Sequence, residues 1–246
     1  MTRKEQIHRY LFFLAAVLVN AFAIAVITKA LLGTSPISCI PYVLSLSTPA
    51  TMGVWTIWFN LLLIVGACLL MGWRETRHRW AELLAQVPVT LCFGGFIDVS
   101  MVQLLGWLEP THYWQQVVAL IVGCCILGSG VAMEVKADVA MVAGEYFVSA
   151  LSKRLRKGFA LMKVCFDWSC VAVAALLSCF SLSRIAGIRE GTLIAALLVG
   201  PVSHLVLPRL SLFDGFLMPS GQSEKPSLKR RLLRRLRRKT GDVING

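Results

Sequence analysis

The sequence predicts an all-α integral membrane protein with about six transmembrane helices, two short (re-entrant or tilted) membrane segments and two internal repeats in inverted arrangement. Three observations carry this. Of 246 residues, 57% are hydrophobic and 15% charged, with a mean hydropathy of +0.69; a soluble domain carries about 25% charged residues. The apolar residues fall in runs long enough to cross a core of about 30 Å at 1.5 Å per residue. The runs also keep an order, long, short, long, long, that occurs twice.

The first span is read from Tyr10 to Leu32. Arg3, Lys4 and Arg9 ahead of it, with Ala21-Phe-Ala23 inside it, imitate a cleavable signal peptide. The run continues past Ala23, so a span is the better reading. Lys29 lies near its end, and Gly33 and Pro36 then interrupt the helix, because proline lacks an amide donor and restricts the residue before it. Thr34 or Ser35 is placed to cap the segment that restarts.

That segment, Ile37 to Ser47, is about 17 Å long as helix, roughly half a hydrocarbon core. Spans follow from Gly53 to Gly72 and from about Ala81 to Trp107, separated by the loop Arg74 to Arg79. The second half repeats the order with a span from Gln115 to Met133, a charged interruption at Glu134-Val-Lys136-Ala-Asp138, a short piece from Val139 to Leu151, and the basic loop Lys153 to Lys157. Spans at Phe159 to Leu182 and Gly191 to Leu207 complete it. Repeat one covers about 10–107 and repeat two about 115–207 within a transmembrane domain of 1–218, followed by a basic tail at 219–246. At an offset of 107, Lys29 falls on Lys136, Pro36 on Ala143, Ser38 on Glu145 and Asn60 on Asp167; at 106, Gly94 falls on Gly200 and Asp98 on His204.

Loop charge decides the expected topology. If both short pieces turn back, there are six crossings, and the N-terminus, the Arg74 to Arg79 loop, the Lys153 to Lys157 loop and the tail share one side. The positive-inside rule makes that side the cytoplasm, in a bacterial inner membrane, with both termini cytoplasmic. Three crossings per half invert the repeats and bring the two tips toward the midplane.

The phrases Lys29-Ala-Leu-Leu-Gly-Thr-Ser-Pro36 and Leu198-Val-Gly200-Pro201-Val-Ser-His204 resemble "K-A-x-L-G-T-S-P" and "I-G-P-x-x-D" phrases of the YczE/YyaS/YitT group of bacterial integral membrane proteins. The resemblance spans about Ala15 to Leu207. It implies a multi-pass membrane protein, of a group presumed to transport something. The chain departs from the group where Ser38 and His204 replace acids; Lys163 and Asp167 keep the group's basic and acidic pair four residues apart.

Ionisable groups at membrane depth cost about 2.5 to 3.5 kcal/mol each on insertion scales. Lys29, Gly33, Thr34, Ser35, Lys136 and Glu145 are the candidate substrate-binding residues, since two lysines beside an amide-rich helix start suit an anionic or zwitterionic solute. Asp98, Glu134, Asp138, Lys163, Asp167 and His204 are candidates for proton coupling or for structural ion pairs. The eight cysteines lie in apolar runs without metal-ligand spacing, so they read as packing residues, with no metal or other cofactor.

The net charge of +12 is concentrated in the tail, where the last 26 residues hold nine Lys and Arg against Glu224 and Asp242. No aromatic interleaves them, so nucleic acid is not the expected partner. Leu228, Leu232, Leu233 and Leu236 form a stripe beside eight basic residues at 226–239, a pattern suited to anionic lipid headgroups. No HExxH, GxSxG or clustered Asp motif is present, so an enzyme is not expected. The leading expectation is a small-solute transporter in the lipid bilayer; the alternative is a non-transporting accessory or scaffold protein.

Overall fold

The computed structural model describes residues 3–137, 139, 141–183 and 187–210, and among them all regular structure is helical. In chain order the α-helices are α1 (Arg3–Lys29), α2 (Cys39–Ser47), α3 (Met52–Met71), α4 (Trp73–His78), α5 (Trp80–Val99), α6 (Tyr113–Ala137), α7 (Ala143–Leu155), α8 (Phe159–Leu182) and α9 (Glu190–Val206). A 3-10 turn, Pro36–Ser38, leads into α2, and a π-helical turn, Ser100–Leu104, prolongs α5. Proline at the first position suits that 3-10 turn, where its missing N–H is not needed.

The protein is an integral membrane protein of all-α class. Five helices are long and apolar enough to cross a bilayer: α1, α3, α5 with its π turn, α6 and α8. The sixth expected span, α9, has 17 residues, about 25 Å, the lower end of what a bilayer needs. Other differences from the sequence reading have local causes. Helix α1 stops at Lys29 because Leu31 and Gly33 take φ of 61° and 115°. The expected loop at Arg74 to Arg79 contains the short helix α4. The expected interruption at Glu134 is helical, since α6 runs on to Ala137.

The two longest-buried partners, α1 and α6, run antiparallel. Arg9 Nη1 donates to Ala137 O at 3.3 Å, Asn20 lies against Gly130, and Ile27 lies against Gly123. Small residues let the backbones approach closely there, as in other membrane interfaces. Helices α5 and α9 flank this pair, α5 on α1 and α9 on α6. Each short helix packs on both α3 and α8, with α2 leaning toward α8 of the second half and α7 toward α3 of the first.

These contacts set depth. We call the end that holds the start of α1 the near face. Helix α7 begins with Gly144 beside Leu63, midway along α3, continues with Phe147 against Gly66, and its Tyr146 hydroxyl donates to Met71 Sδ at 3.7 Å. It therefore returns from the middle of the bundle to the near face. Helix α2 runs the other way: Cys39 and Val43 share a cluster with Ala174 of α8, and Thr48 beyond it accepts from Trp55 Nε1 at 2.7 Å near the start of α3. Its first turn meets that of α7, where Ile37 lies against Gly144. Both short helices thus start at mid-depth and return to opposite faces, as inverted halves require.

Candidate functional site

A cavity of about 310 Å³ lies where the two short helices meet. Its polar wall is drawn from both halves: Asn20 of α1, Ser35 and Pro36 of the first break, Glu134 of α6, Glu145 of α7, Lys163 and Asp167 of α8. Ser203 and Gly200 of α9 close one side, and Ile24, Phe93 and Leu127 supply apolar cover. The size is at the low end of small-molecule pockets.

Helix spacing explains the wall. Gly130 leaves room for Asn20 on the facing helix, and Glu134 stands one turn further along α6, so the Asn20 side chain hydrogen-bonds the Glu134 carboxyl. Asn20 and Glu134 are only 5% and 6% exposed, and Asn20 Oδ1 and Glu134 Oε1 lack a hydrogen-bond partner. Such atoms are costly in a dry interior. The charge facing Glu134 is Glu145, and those facing Glu145 are Lys163 and Asp167. Lys163 Nζ sits 2.8 Å from Asp167 Oδ1, one turn apart on α8. Three carboxyl groups therefore share the cavity with one ammonium.

The backbone adds positive partial charge. Ser35 and Val142, equivalent at the offset of 107, have φ, ψ of −64°, 146° and −62°, 151°, and neither side chain caps its helix. The Ser35 hydroxyl instead donates to Ser38 Oγ at 2.8 Å. The first turn of α7 and the Ile37 amide are left without side-chain caps, while Pro36 has no N–H and Ser38 N donates to Ser35 O at 2.9 Å.

A second cavity, of about 330 Å³, adjoins the first through Glu134 and Glu145, which line both. It reaches Tyr10, Arg79, Ala85, Gln86 and Val139 toward the near face. At the far face the equivalent positions are in contact. Gly191 N donates to Leu32 O at 2.9 Å, Arg189 Nη1 donates to Leu31 O at 3.1 Å, and Gly33 is pressed on Thr192.

A family of unknown function (DUF6198) matches residues 7–208, more than four-fifths of the chain. The chain belongs to the DUF6198 family. No curated protein and no solved structure matches it. The DUF6198 match takes in both halves and the whole cavity wall, and ends before the basic tail.

Of the residues singled out from sequence, Ser35, Glu134, Glu145, Lys163 and Asp167 line this DUF6198 cavity. Lys29 is half-buried at the end of α1, outside the lining. Thr34 is fully buried and its Oγ1 lies 2.9 Å from Thr28 Oγ1, which turns the chain back along α1. Gly33 belongs to the far-face contact. Lys136 is half-buried near the end of α6, and has interactions of its own. Asp98 accepts from Thr51 Oγ1 at 2.6 Å and Gly53 N at 2.7 Å, holding the start of α3 against the end of α5. His204 is exposed on the last turn of α9. Asp138 and the tail at 219–246, with its lipid stripe at 226–239, lie outside the described residues.

Sequence reasoning passed over Asn20 and Gln86. Each is a lone amide in an apolar run, a visible sign of a polar requirement at membrane depth. The cysteines form no disulfide or metal group among the described residues.

Proposed function

We propose that this DUF6198 chain is a small-solute transporter whose substrate bears an amine, as a zwitterion or a cation. The observation that carries the reading is the unequal state of equivalent positions. Leu32 and Gly191 are hydrogen-bonded at one face, while their counterparts Val139 and Ala85 line a cavity at the other. Inverted repeats that exchange those two states expose a central site to each face in turn.

The wall supports the substrate class. Glu134 and Glu145 suit an ammonium, and the uncapped helix starts with Lys163 suit a carboxylate. An anion without an amine fits poorly among three carboxyl groups, so of the two classes expected from sequence the zwitterion is retained. Arg77, Arg79, Lys153, Arg154, Arg156 and Lys157 gather at the near face, which favours the cytoplasm for that face. The likeness to the YczE/YyaS/YitT group fits this reading, because its first phrase is the break that brings Ser35 and Pro36 to the cavity.

The test is uptake into proteoliposomes, screened across amino acids, polyamines, carboxylates and sugars. Uptake of an amine-bearing solute above empty liposomes is expected. No uptake in any class overturns the proposal in favour of a scaffold role.

A further inference from the structure

The carboxyls of Glu134 and Glu145 stand between the two cavities, and both line each of them. Glu134 is almost fully buried, takes the Asn20 amide, and keeps one oxygen without a partner. The cations around the pair have other partners as well. Lys163 on α8 faces Glu145 but is shared with Asp167, and the Arg9 guanidinium on α1 donates to Ala137 O while its Nε keeps no partner. Arg79 before α5 and Lys136 on α6 each have contacts of their own, as does Tyr146 on α7; the charge facing Glu134 is Glu145 itself. Two carboxyls that line the same low-dielectric cavities, with one shared ammonium between Glu145 and Asp167, favour a state in which one of them holds a proton. Asn20 Oδ1 and Glu134 Oε1 are both buried and unpartnered on the same cavity wall, so the wall holds free oxygen acceptors for an incoming cation.

We propose that Glu134 and Glu145 form a single monovalent-cation site that holds either one proton or one other cation, and exchanges them. In the proton-loaded form one carboxyl keeps an O–H bond. When an ammonium or a sodium ion enters, that bond breaks, the proton leaves to water, and both carboxylates face the incoming charge. The balance is one positive charge in and one out, so the site couples solute movement to a counter-moving proton. This rests on the cavity being a solute site, although proton release is measurable whether or not any solute is carried.

The experiment uses the purified full chain in detergent, weakly buffered near neutral pH with a pH-sensitive dye, and pH-matched additions of methylammonium chloride or sodium chloride. Choline chloride, whose quaternary ammonium has no N–H to donate to the carboxyl oxygens, controls for ionic strength. About one proton per chain is expected on saturation, with loss of the carboxylic-acid carbonyl band in the infrared. Release by methylammonium marks the solute's amine as the occupant, and release by sodium marks an inorganic ion. Glu134→Gln and Glu145→Gln each abolish release, while Glu109→Gln, on an exposed loop, leaves it unchanged. Thermal melting checks that at least one of the two site variants is folded. No release with either cation, or undiminished release in a folded site variant, overturns the proposal; uptake failure with intact release overturns transport alone.

Discussion

Ile37 and Gly144 touch, and they are each other's equivalent at the 107-residue offset between the halves. A residue that contacts its own counterpart lies on the axis relating the repeats. The tips of both short helices, and the cavity they border, are therefore on that axis.

A Cβ on Gly144 meets the tip Cδ1 of Ile37, which must swing aside, and a branched side chain needs more room than that movement gives. Gly144→Val is expected to lower stability by about 1 to 3 kcal/mol through overpacking, read as a fall in melting temperature in detergent. Adding Ile37→Ala returns part of the loss, and the double-mutant cycle gives a coupling above about 0.5 kcal/mol. Additive effects would separate the two tips.

Arg189→Ala removes the donor to Leu31 O at the far face. Labelling of a Ser35→Cys variant by a membrane-impermeant thiol reagent from that face is expected to rise several-fold. Labelling from the near face stays the same or falls.

Gly33 holds a φ of 115° with Thr192 against it. Gly33→Ala is expected to cost at least about 1 kcal/mol, since a side chain disfavours that backbone. The loss appears as earlier melting together with greater far-face labelling.

Lys163→Met leaves Asp167 unpaired next to Glu145. The side chains are 30% and 22% exposed, so the expected loss lies between the ~1 kcal/mol of exposed pairs and the ~3 kcal/mol of buried ones. Lys163→Met with Asp167→Asn recovers stability, as chemical unfolding would show.

Cysteines placed at Arg77 and Arg156 are expected to react from the same side of the membrane, and one at Leu31 from the opposite side. Reaction of the first two from different sides would break the inverted arrangement.

The long spans were legible because a 20-residue apolar run has few other destinies, and Phe159 to Leu182 was read to the residue. The short pieces were legible as short, since Gly33, Pro36 and Thr48-Pro49 punctuate the first one. Their depth was not, because Leu63 and Gly144, which fix it, are far apart in the chain. In sequence Glu134 stands in a charged interruption, a candidate for proton coupling or a structural ion pair with no partner in view. In the fold Gly130 and Asn20 make an interior place for it, and no local signal links Asn20 to a residue 114 positions later. The same distance misled the expected polarity of the site: Lys29 and Lys136 stand out in sequence, yet the lining takes Lys163 with three acids.

The packing of α2 and α7 across the halves bears on how the chain assembles during synthesis. When residues 3–104 have been inserted, the groove on α3 is empty, and the helix that fills it is made only after α6 has crossed. At roughly 5 to 20 residues per second, several seconds are expected to pass before α7 is made and can cover Leu63 and Gly66. Helix α2 likewise waits for α8. Neither half has a complete interior of its own, so the two are expected to mature together, and co-expression of the separated halves should rescue what each alone loses to proteolysis.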